Sequence, residues 1–458
     1  MILKNPEILS KVVDQDLCVG CGVCVAACPN HALEINWNNL GFLVPFVGNG
    51  ESCNHCESCL DVCPFNTVID EKYKNENILA ELFLKNAPRF NEKIGRYYSI
   101  YAGYADRYRV TSSSGGVATF MYEKLFDKGL INHFITVGDS VANHAHYEYK
   151  LVSSKDDLLK ISKTRYHPVT LAGALEKIKN IEGKIAVSGV GCFVKAIRLA
   201  QEKDPVLKEK IVFVVGIICG GLKSKFFTDY LASSAGAKLD KYSNPDYRVK
   251  DTKSTASDYS FSCHDNISNT EKIIKMRTVG DMWGTGLFKS NACDFCDDVT
   301  TELADISLGD AWLNPYEQDG NGHNVIVSRS QIAEKILQDG FASGELVLEK
   351  LSLEQFLSSQ RGSFNHRHDA MATRIEMRKR EGFTTPPKRV MGRELPLYLK
   401  LVQKARRKTR VKSLEIWKES RDALLFERKM KSELLKLRVV TKLSRIFRKI
   451  ENIIRNKL

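Results

Sequence analysis

The sequence predicts a chain of three parts: a small α+β module, an α/β domain with a mostly parallel sheet, and a helical basic tail. Two runs of four closely spaced cysteines lie near the amino terminus. Short apolar, β-branched segments then alternate with segments of helical periodicity as far as about residue 360. Residues 388–458 hold 23 Lys and Arg against 7 Asp and Glu, a net +16, whereas the whole 458-residue chain carries +13. The charge therefore belongs to the tail, and the remainder of the chain is nearly neutral.

The two cysteine runs share the spacing C-x2-C-x2-C-x3-C-P. Three thiolates on a tight loop can bind three irons of one cubane, and the fourth, which opens a helix, serves the other cubane. Zinc also accepts four thiolates, but zinc sites group their ligands in pairs. The spacing therefore predicts a ferredoxin-type module with two 4Fe–4S clusters, one on Cys18, Cys21, Cys24 and Cys63 and the other on Cys53, Cys56, Cys59 and Cys28.

Four further cysteines follow glycine-marked turns or strand edges. Cys192 comes shortly after the apolar segment 184–188, and Cys219 directly follows the segment 211–218. If these two strands are parallel, both thiols lie at the edge where ligands gather in open α/β sheets. We therefore expect a third 4Fe–4S cluster on Cys192, Cys219, Cys293 and Cys296. The alternatives are that the first pair are small buried apolar residues and that the second pair is half of a zinc site or a redox pair.

The cysteine count also bears on location. Thirteen cysteines without a secretory pattern in the first residues favour metal ligation in a reducing cytoplasm over disulfides. No run of 18 uncharged apolar residues occurs, so we expect no transmembrane helix. The expected location is the cytoplasm, with peripheral contact to the inner face of the cell membrane as an option.

The pattern along the chain gives expected elements and domains. Buried strands are predicted at 131–137, 184–188, 211–218 and 304–308, and helices at 119–128, 194–202, 224–235 and 331–341. The predicted domains are the ferredoxin-type module 1–75, a connector 76–100, the α/β domain 101–370 with parts 101–170 and 171–370, and the tail 371–458.

Several short motifs occur in one order: Ser113-Ser-Gly-Gly116, Gly189-Val-Gly-Cys192, Cys219-Gly-Gly221, Cys293-x-x-Cys296 and Ala304-Asp-Ile-Ser-Leu-Gly-Asp310-Ala-Trp312. With the cysteine-rich amino end, they resemble the family of beta subunits of coenzyme F420-reducing hydrogenase and dehydrogenase over about residues 1–370. The resemblance implies a non-covalent FAD beside a 4Fe–4S cluster in the α/β domain. In members that use coenzyme F420, this carrier exchanges two electrons at the flavin, which then exchanges single electrons with the clusters.

This resemblance suggests candidate flavin contacts. Ser113, Ser114, Gly115 and Gly116 precede a helix and suit a pyrophosphate, although they also suit an ordinary helix cap. Arg165 could neutralise a flavin phosphate or be a plain surface residue, and Asp305 and Asp310 could contact flavin or cap turns. No G-x-G-x-x-G follows a strand, so the Rossmann fingerprint is absent. The sequence identifies no catalytic residue.

Two functions follow from these expectations. The first is an iron–sulfur flavoprotein oxidoreductase that works with a redox partner protein or a soluble electron carrier. The second is a non-catalytic iron–sulfur relay subunit of a larger reductase. The family name alone does not assign coenzyme F420 as the substrate, because the family extends to many bacteria and nothing in the sequence shows that this deazaflavin is the partner.

The tail and one histidine pair are open to several interpretations. Residues 434–454 alternate apolar and basic side chains at helical spacing, as on a helix that lies on an anionic membrane surface. Packing on an acidic partner or on the chain itself explains the pattern equally well, and nucleic acid is a minor option because the body lacks a basic face with interleaved aromatic residues. His366 and His368 are expected on a solvated helical face rather than at a metal.

Overall fold

The computed structural model describes residues 5–48, 53–68, 74–140 and 146–455. The two cysteine runs flank one antiparallel hairpin, β1 (Leu33–Trp37) and β2 (Leu43–Val47), and each run enters a single helical turn, α1 (Val23–Ala26) or α2 (Ser58–Asp61). The connector holds α3 (Glu76–Phe83), which begins where the Asn75 side chain accepts a hydrogen bond from the Ile78 amide. It also holds a short hairpin of β3 (Arg89–Asn91) and β4 (Gly95–Tyr97).

Eleven further strands follow in the described part of the chain. Their bounds are β5 Ser99–Ala105, β6 His133–Asp139, β7 Tyr147–Val152, β8 Ile185–Val190, β9 Ile211–Ile217, β10 Tyr242–Val249, β11 Ser260–Asp265, β12 Thr270–Lys275, β13 Ile306–Asp310, β14 Asn324–Ser328 and β15 Leu346–Lys350. Eight of them form one sheet in the order β15-β5-β14-β13-β9-β8-β6-β7, and β10, β11 and β12 form a separate antiparallel sheet.

The main sheet is mixed, so the prediction of a mostly parallel sheet is wrong. Among the described strands, only the central β6, β8, β9 and β13 pair in parallel. The flanking pairs β6–β7, β13–β14, β14–β5 and β5–β15 are antiparallel. The physical reason lies in the connections. β7 follows β6 after only seven residues, too few for a crossover helix, and the loop between β13 and β14 holds only a short 3-10 turn at Tyr316–Gln318. A strand that returns directly must run antiparallel.

Helices cover both faces of this sheet. Their bounds are α4 Asp106–Arg109, α5 Val117–Asp127, α6 Ala172–Ile178, α7 Gly191–Lys203, α8 Pro205–Lys210, α9 Lys225–Ser234, α10 Met276–Val279, α11 Gln331–Ala342, α12 Leu353–Ser359, α13 Arg361–Phe364 and α14 Met371–Arg380. Alternation along β8 shows the two layers: Ile185 and Val187 pack with α7 and the cysteine module, whereas Ala186 packs with α5 and α11. The cysteine module therefore shares a core with one face of the sheet.

The chain ends in a hairpin of two long helices, α15 (Leu397–Ser420) and α16 (Ala423–Arg455). Trp417 near its turn is fully buried against Phe288 and Phe426, with ring centroids 6.1 Å and 5.6 Å away. The turn end of the hairpin therefore packs in the core that includes β10–β12 and α9. Within the described ranges, no helix is both long enough and apolar enough to cross a bilayer.

Candidate functional site

The structure gathers the first set of predicted ligands around one apolar cavity. Its walls include the four thiols of what we call the proximal thiol group, Cys18, Cys21, Cys24 and Cys63. Burial raises the pKa of Cys18 to about 12 and that of Cys21 to about 11, so the free thiols are neutral near pH 7. Metal ligation is what would remove their protons, because a coordinated thiol is deprotonated.

The proximal thiol group lies directly against the α/β domain. The Leu171 amide donates a hydrogen bond of 2.8 Å to the Cys21 carbonyl oxygen. Gly22 adopts a left-handed conformation (φ +74°), and a Cβ there would lie 2.0 Å from the Thr170 hydroxyl oxygen. Glycine at this position therefore permits both the tight turn between two ligands and the close contact between the module and the domain.

The second set, which we call the distal thiol group, comprises Cys28, Cys53, Cys56 and Cys59. Cys56 is exposed and the other three are half-buried. Burial raises the pKa of Cys59 to about 11, and its neighbours Cys53 and Cys28 add to the shift. Backbone amides point at the sulfurs, as from His55 to Cys53 at 3.4 Å. This group is therefore the more accessible of the two to a partner in solution.

The third thiol group, Cys192, Cys219, Cys293 and Cys296, also comes together. Strands β8 and β9 pair in parallel with Val190 opposite Ile217, so Cys192 and Cys219 lie at the same edge of the sheet. A short 3-10 turn at Asn291–Phe295 brings the other pair to them. Burial raises the pKa of Cys192 well above its usual value, and the nearby thiols Cys296, Cys293 and Cys219 raise it further. Sequence spacing alone could not establish this convergence.

Sequence reasoning missed a cation beside the third thiol group. Arg367 is buried, and its Nη1 atom donates to the Asp298 carbonyl oxygen at 2.6 Å and to the Cys296 sulfur at 3.5 Å. Its Nη2 atom donates to the Cys219 carbonyl oxygen. Because Arg367 lies in a helical segment that showed no motif, only the fold reveals its contact with two cysteines.

The histidines on either side of Arg367 are not solvated, so that expectation is wrong. His368 is buried with Nε2 2.7 Å from the Asp297 carbonyl oxygen. His366 has Nε2 3.0 Å from the Lys289 Nζ atom, and burial lowers its pKa well below the usual range. The segment Asn365–Asp369 is a π-helix packed over the third thiol group, which explains why both rings face inward.

The predicted serine loop lies inside the α/β domain and precedes α5. Ser113 and Ser114 have tertiary partners: the Ser113 hydroxyl accepts from the Thr164 amide at 2.8 Å, and the Ser114 hydroxyl donates to the His323 carbonyl oxygen at 3.0 Å. The neighbouring Ser112 hydroxyl is buried without a hydrogen-bond partner in the described part of the chain. Gly115 and Gly116 pack too closely on other backbone for a Cβ, with contacts of 2.7 Å and 2.8 Å.

Basic side chains surround this loop. We call Arg109, Lys163, Arg165, Arg248 and Lys250 the cationic cluster, and Arg165 is included because the adjacent Thr164 amide donates to the Ser113 hydroxyl. The Lys250 ammonium donates to the Ser114 carbonyl oxygen at 2.7 Å. Burial, followed by repulsion from Arg248, Arg109 and Lys163, lowers the pKa of Lys250 to about 7. Arg109 and Lys163 are paired with carboxylates, Asp319 at 2.6 Å and Asp246 at 3.0 Å, whereas Lys250 donates to carbonyl oxygens among the described residues. Lys250 is therefore a candidate contact for an anion.

Two members of the cationic cluster have unsatisfied donors. The Nε atoms of Arg165 and Arg248 are buried and lack hydrogen-bond partners among the described residues. Arg165 otherwise lies 3.6 Å from Asp139 and 5.0 Å from the Tyr147 ring centroid. The predicted residue Asp310 pairs with Arg248 at 2.6 Å, at the carboxyl end of β13.

Asp305 lies at the opposite end of β13 from Asp310. Its Oδ2 atom accepts hydrogen bonds from Arg198 Nη2 at 3.0 Å and from the Val214 amide at 2.8 Å. Both side chains are buried. These contacts account for the Asp305 carboxylate as a structural group, at the end of β13 away from Arg248 and the cationic cluster.

Aromatic rings connect the cationic cluster with the third thiol group. The Tyr166 ring stands edge-on to Trp283 with centroids 4.9 Å apart, and Arg248 lies 4.5 Å from the Tyr259 ring centroid. Trp283 in turn packs on Gly220, where a Cβ would lie 3.1 Å from the indole. Gly220 immediately follows Cys219, so the rings reach the third thiol group.

Among residues 5–48, 53–68, 74–140 and 146–455, no three Cys, His, Asp or Glu side chains converge as they would around a single metal ion.

Comparison with known proteins agrees with these features. The family model of the coenzyme F420 hydrogenase/dehydrogenase beta subunit matches residues 100–176 with its N-terminal part and 182–354 with its C-terminal part. A 4Fe–4S dicluster domain model matches residues 17–67. A solved chain of the F420-reducing NiFe hydrogenase complex of Methanosarcina barkeri shares the fold, with a TM-score of 0.50 and 19% identity over 66% of this chain and 99% of that one.

Two of the curated relatives have names of redox proteins. A component of the F(420)H(2) dehydrogenase of Methanosarcina mazei is 26% identical over 351 residues, 72% of this chain and 84% of the relative. Coenzyme F420-dependent sulfite reductase of Methanocaldococcus jannaschii is 25% identical over 372 residues, which are 76% of this chain but only 51% of the relative. The chain therefore belongs to the family of the coenzyme F420 hydrogenase/dehydrogenase beta subunit, as a 4Fe–4S-containing member that takes part in electron transfer.

Proposed function

We propose that this protein is an oxidoreductase that passes electrons between a two-electron carrier at a non-covalent FAD and one-electron 4Fe–4S clusters. The observation that carries the proposal is the juxtaposition of an anion site with the third thiol group through aromatic rings. Tyr166 and Trp283 are 4.9 Å apart, and Trp283 packs on the residue after Cys219. A flavin bound among these rings and basic side chains would lie beside a cluster ligand.

The residues of this region suit FAD. The Nε atoms of Arg165 and Arg248 and the Ser112 hydroxyl are buried donors without protein partners in the described ranges, as a pyrophosphate requires. The helix α5 begins at this loop and adds the positive end of its dipole. When bound, flavin supplies the conversion between two-electron and one-electron transfer. The protein's part is to hold the phosphates, place aromatic surfaces beside the ring system and keep the cluster ligands nearby.

The thiol groups define an order for electron transfer. The third thiol group would hold the cluster beside the flavin, and Cys21 of the proximal thiol group lies near enough to Cys192 to raise its pKa. Electrons would therefore pass from the cluster on the third thiol group to the cluster on the proximal thiol group. The more exposed distal thiol group would hold the last cluster on the path. In this proposal, electron exchange with a redox partner protein or soluble carrier would take place at the distal end.

Flavin content and reduction test this function. Anoxically purified protein is expected to contain about one FAD per chain. Lys250→Met removes a cation from the cationic cluster and is expected to weaken FAD binding by about tenfold or more while leaving iron content unchanged. Lys253→Met, which alters an exposed lysine on the same segment, is the matched control. Reduced coenzyme F420, NAD(P)H and reduced ferredoxin are then offered in turn, with reduction followed optically.

The outcome separates two kinds of subunit. Bleaching of flavin and cluster absorbance by one of the two-electron donors supports the proposal and identifies the donor. An iron–sulfur spectrum without flavin, unchanged by added FAD, would contradict it and favour a relay subunit that conducts electrons for a separate catalytic protein.

Arg367 provides a test of the third cluster itself. Its positive charge stabilises the more negative, reduced cluster, so Arg367→Gln is expected to lower that cluster's midpoint potential. The expected shift is on the order of 100 mV, the effect of one charge several ångström away at an effective dielectric constant of about 20. Redox titration followed by electron paramagnetic resonance measures it. Arg367→Lys should recover most of the potential, and Arg361→Gln, at an exposed arginine of α13, is the control. A potential unchanged in Arg367→Gln would show that the guanidinium does not act on a cluster.

A further inference from the structure

The second half of α16 carries an apolar stripe that the rest of the described chain leaves partly uncovered. Each of its members is about half exposed, between 47% and 56%: Leu435, Val439, Leu443, Ile446, Phe447, Ile450, Ile453 and Ile454. The opposite side of the helix packs on α15, where Leu437 is buried and Tyr398 donates to Glu451 at 2.6 Å. One member of the stripe, Phe447, stacks on Tyr398 of α15 with ring centroids 5.5 Å apart, so the stripe borders the contact surface of the hairpin. The remaining half-exposed members form a second apolar face.

Basic side chains line one edge of this stripe. Arg438, Lys442, Arg445 and Lys449 recur at steps of four, three and four residues, which places them in a row beside the stripe, and all four are exposed. The sole acidic residue between 434 and 454 is Glu451, whose carboxylate accepts the Tyr398 hydroxyl hydrogen bond. The face thus combines apolar area with positive charge that no neighbouring carboxylate in this segment offsets.

We propose that this face of α16 docks on the surface of an anionic lipid bilayer. Apolar side chains of this length can enter the boundary between headgroups and acyl chains, while Lys and Arg extend to anionic headgroups. Charge complementarity selects this occupant. A second copy of the chain would bring two basic rows together, and a nucleic acid would leave the apolar stripe in water. The helix lies along the surface and does not cross it.

Vesicle binding tests the docking. The full chain, purified with its cofactors under anoxic conditions, is sedimented with vesicles of phosphatidylcholine alone or of phosphatidylcholine and phosphatidylglycerol at three to one. We expect binding to the mixed vesicles that is at least about tenfold tighter than to phosphatidylcholine and that weakens as salt rises. Two variants should each reduce binding at least about tenfold. One neutralises the basic row by changing Arg438, Lys442, Arg445 and Lys449 to Gln. The other makes the stripe more polar through Ile446→Ser with Ile450→Ser.

Matched controls keep the test specific. A variant with Lys155, Lys160, Lys335 and Lys350 changed to Gln loses the same charge from exposed positions of the α/β domain and should bind as the unaltered chain does. Circular dichroism and iron content verify that each variant is folded. The inference is overturned if the unaltered chain does not bind mixed vesicles, or if the stripe variant binds them equally well. It is also overturned if the chain is a dimer in solution that the Ile446→Ser, Ile450→Ser change dissociates.

Discussion

Replacement of Cys192 and Cys219 by alanine is expected to remove about four of about twelve irons per chain, because a cubane that loses two of its four ligands is not retained. The eight cysteines of the proximal and distal thiol groups stay intact, so the ferredoxin-type absorbance should persist. Iron and acid-labile sulfide analysis measures the loss. Since the third thiol group lies between the proposed flavin site and the proximal group, a donor should still reduce the flavin but no longer bleach the remaining clusters.

Cys263 provides the matched control for this experiment. It is a buried cysteine in β11, packed among the aromatic residues of the core that includes Tyr247 and Phe261. Cys263→Ala should therefore leave iron and sulfide unchanged. Equal iron in the double variant and the unaltered chain would contradict a third cluster. It would instead favour Cys192 and Cys219 as small buried apolar residues.

Asp305→Ala is expected to lower the free energy of unfolding by about 3–5 kcal/mol, the usual cost of leaving one member of a buried ion pair without its partner. Arg198 is buried, and Asp305 accepts hydrogen bonds from both its guanidinium and the Val214 amide. Burial already lowers the pKa of Arg198 despite the carboxylate. Without Asp305, the guanidinium would be left charged and partly unsolvated.

An exposed pair of the same chemistry is the comparison. Arg421 and Asp240 lie 2.7 Å apart with side chains 51% and 69% exposed, so Asp240→Asn, which keeps a residue type that tolerates the left-handed backbone there, should cost no more than about 1 kcal/mol. Urea unfolding under anoxic conditions, followed by circular dichroism, measures both variants. Flavin content per folded chain should be unchanged in Asp305→Ala, because its carboxylate faces Arg198. A stability loss no larger than that of Asp240→Asn, or a selective loss of flavin, would contradict the structural role.

Local patterns allowed much of the chain to be predicted. The helices predicted at 119–128 and 331–341 are observed at Val117–Asp127 and Gln331–Ala342, and the strands predicted at 184–188 and 211–218 are Ile185–Val190 and Ile211–Ile217. The periodicity of apolar residues predicts these elements correctly because each element is short and its buried face is set by side chains that are neighbours in the sequence. The domain boundaries, the flavin contacts and the cytoplasmic location stay predictions.

The sequence by itself determined the family and the two ferredoxin-type cysteine runs. Most ligands of such a cluster are neighbours on one loop, so their spacing in the sequence is enough to identify the site. Tertiary structure decided what depends on distant segments. Strand direction followed from how neighbouring strands are connected, and the convergence of Cys192 with Cys219 followed from the parallel register of β8 and β9. The contacts of Arg367 and Lys250 depend on segments more than 70 residues apart, and a short motif cannot encode such contacts.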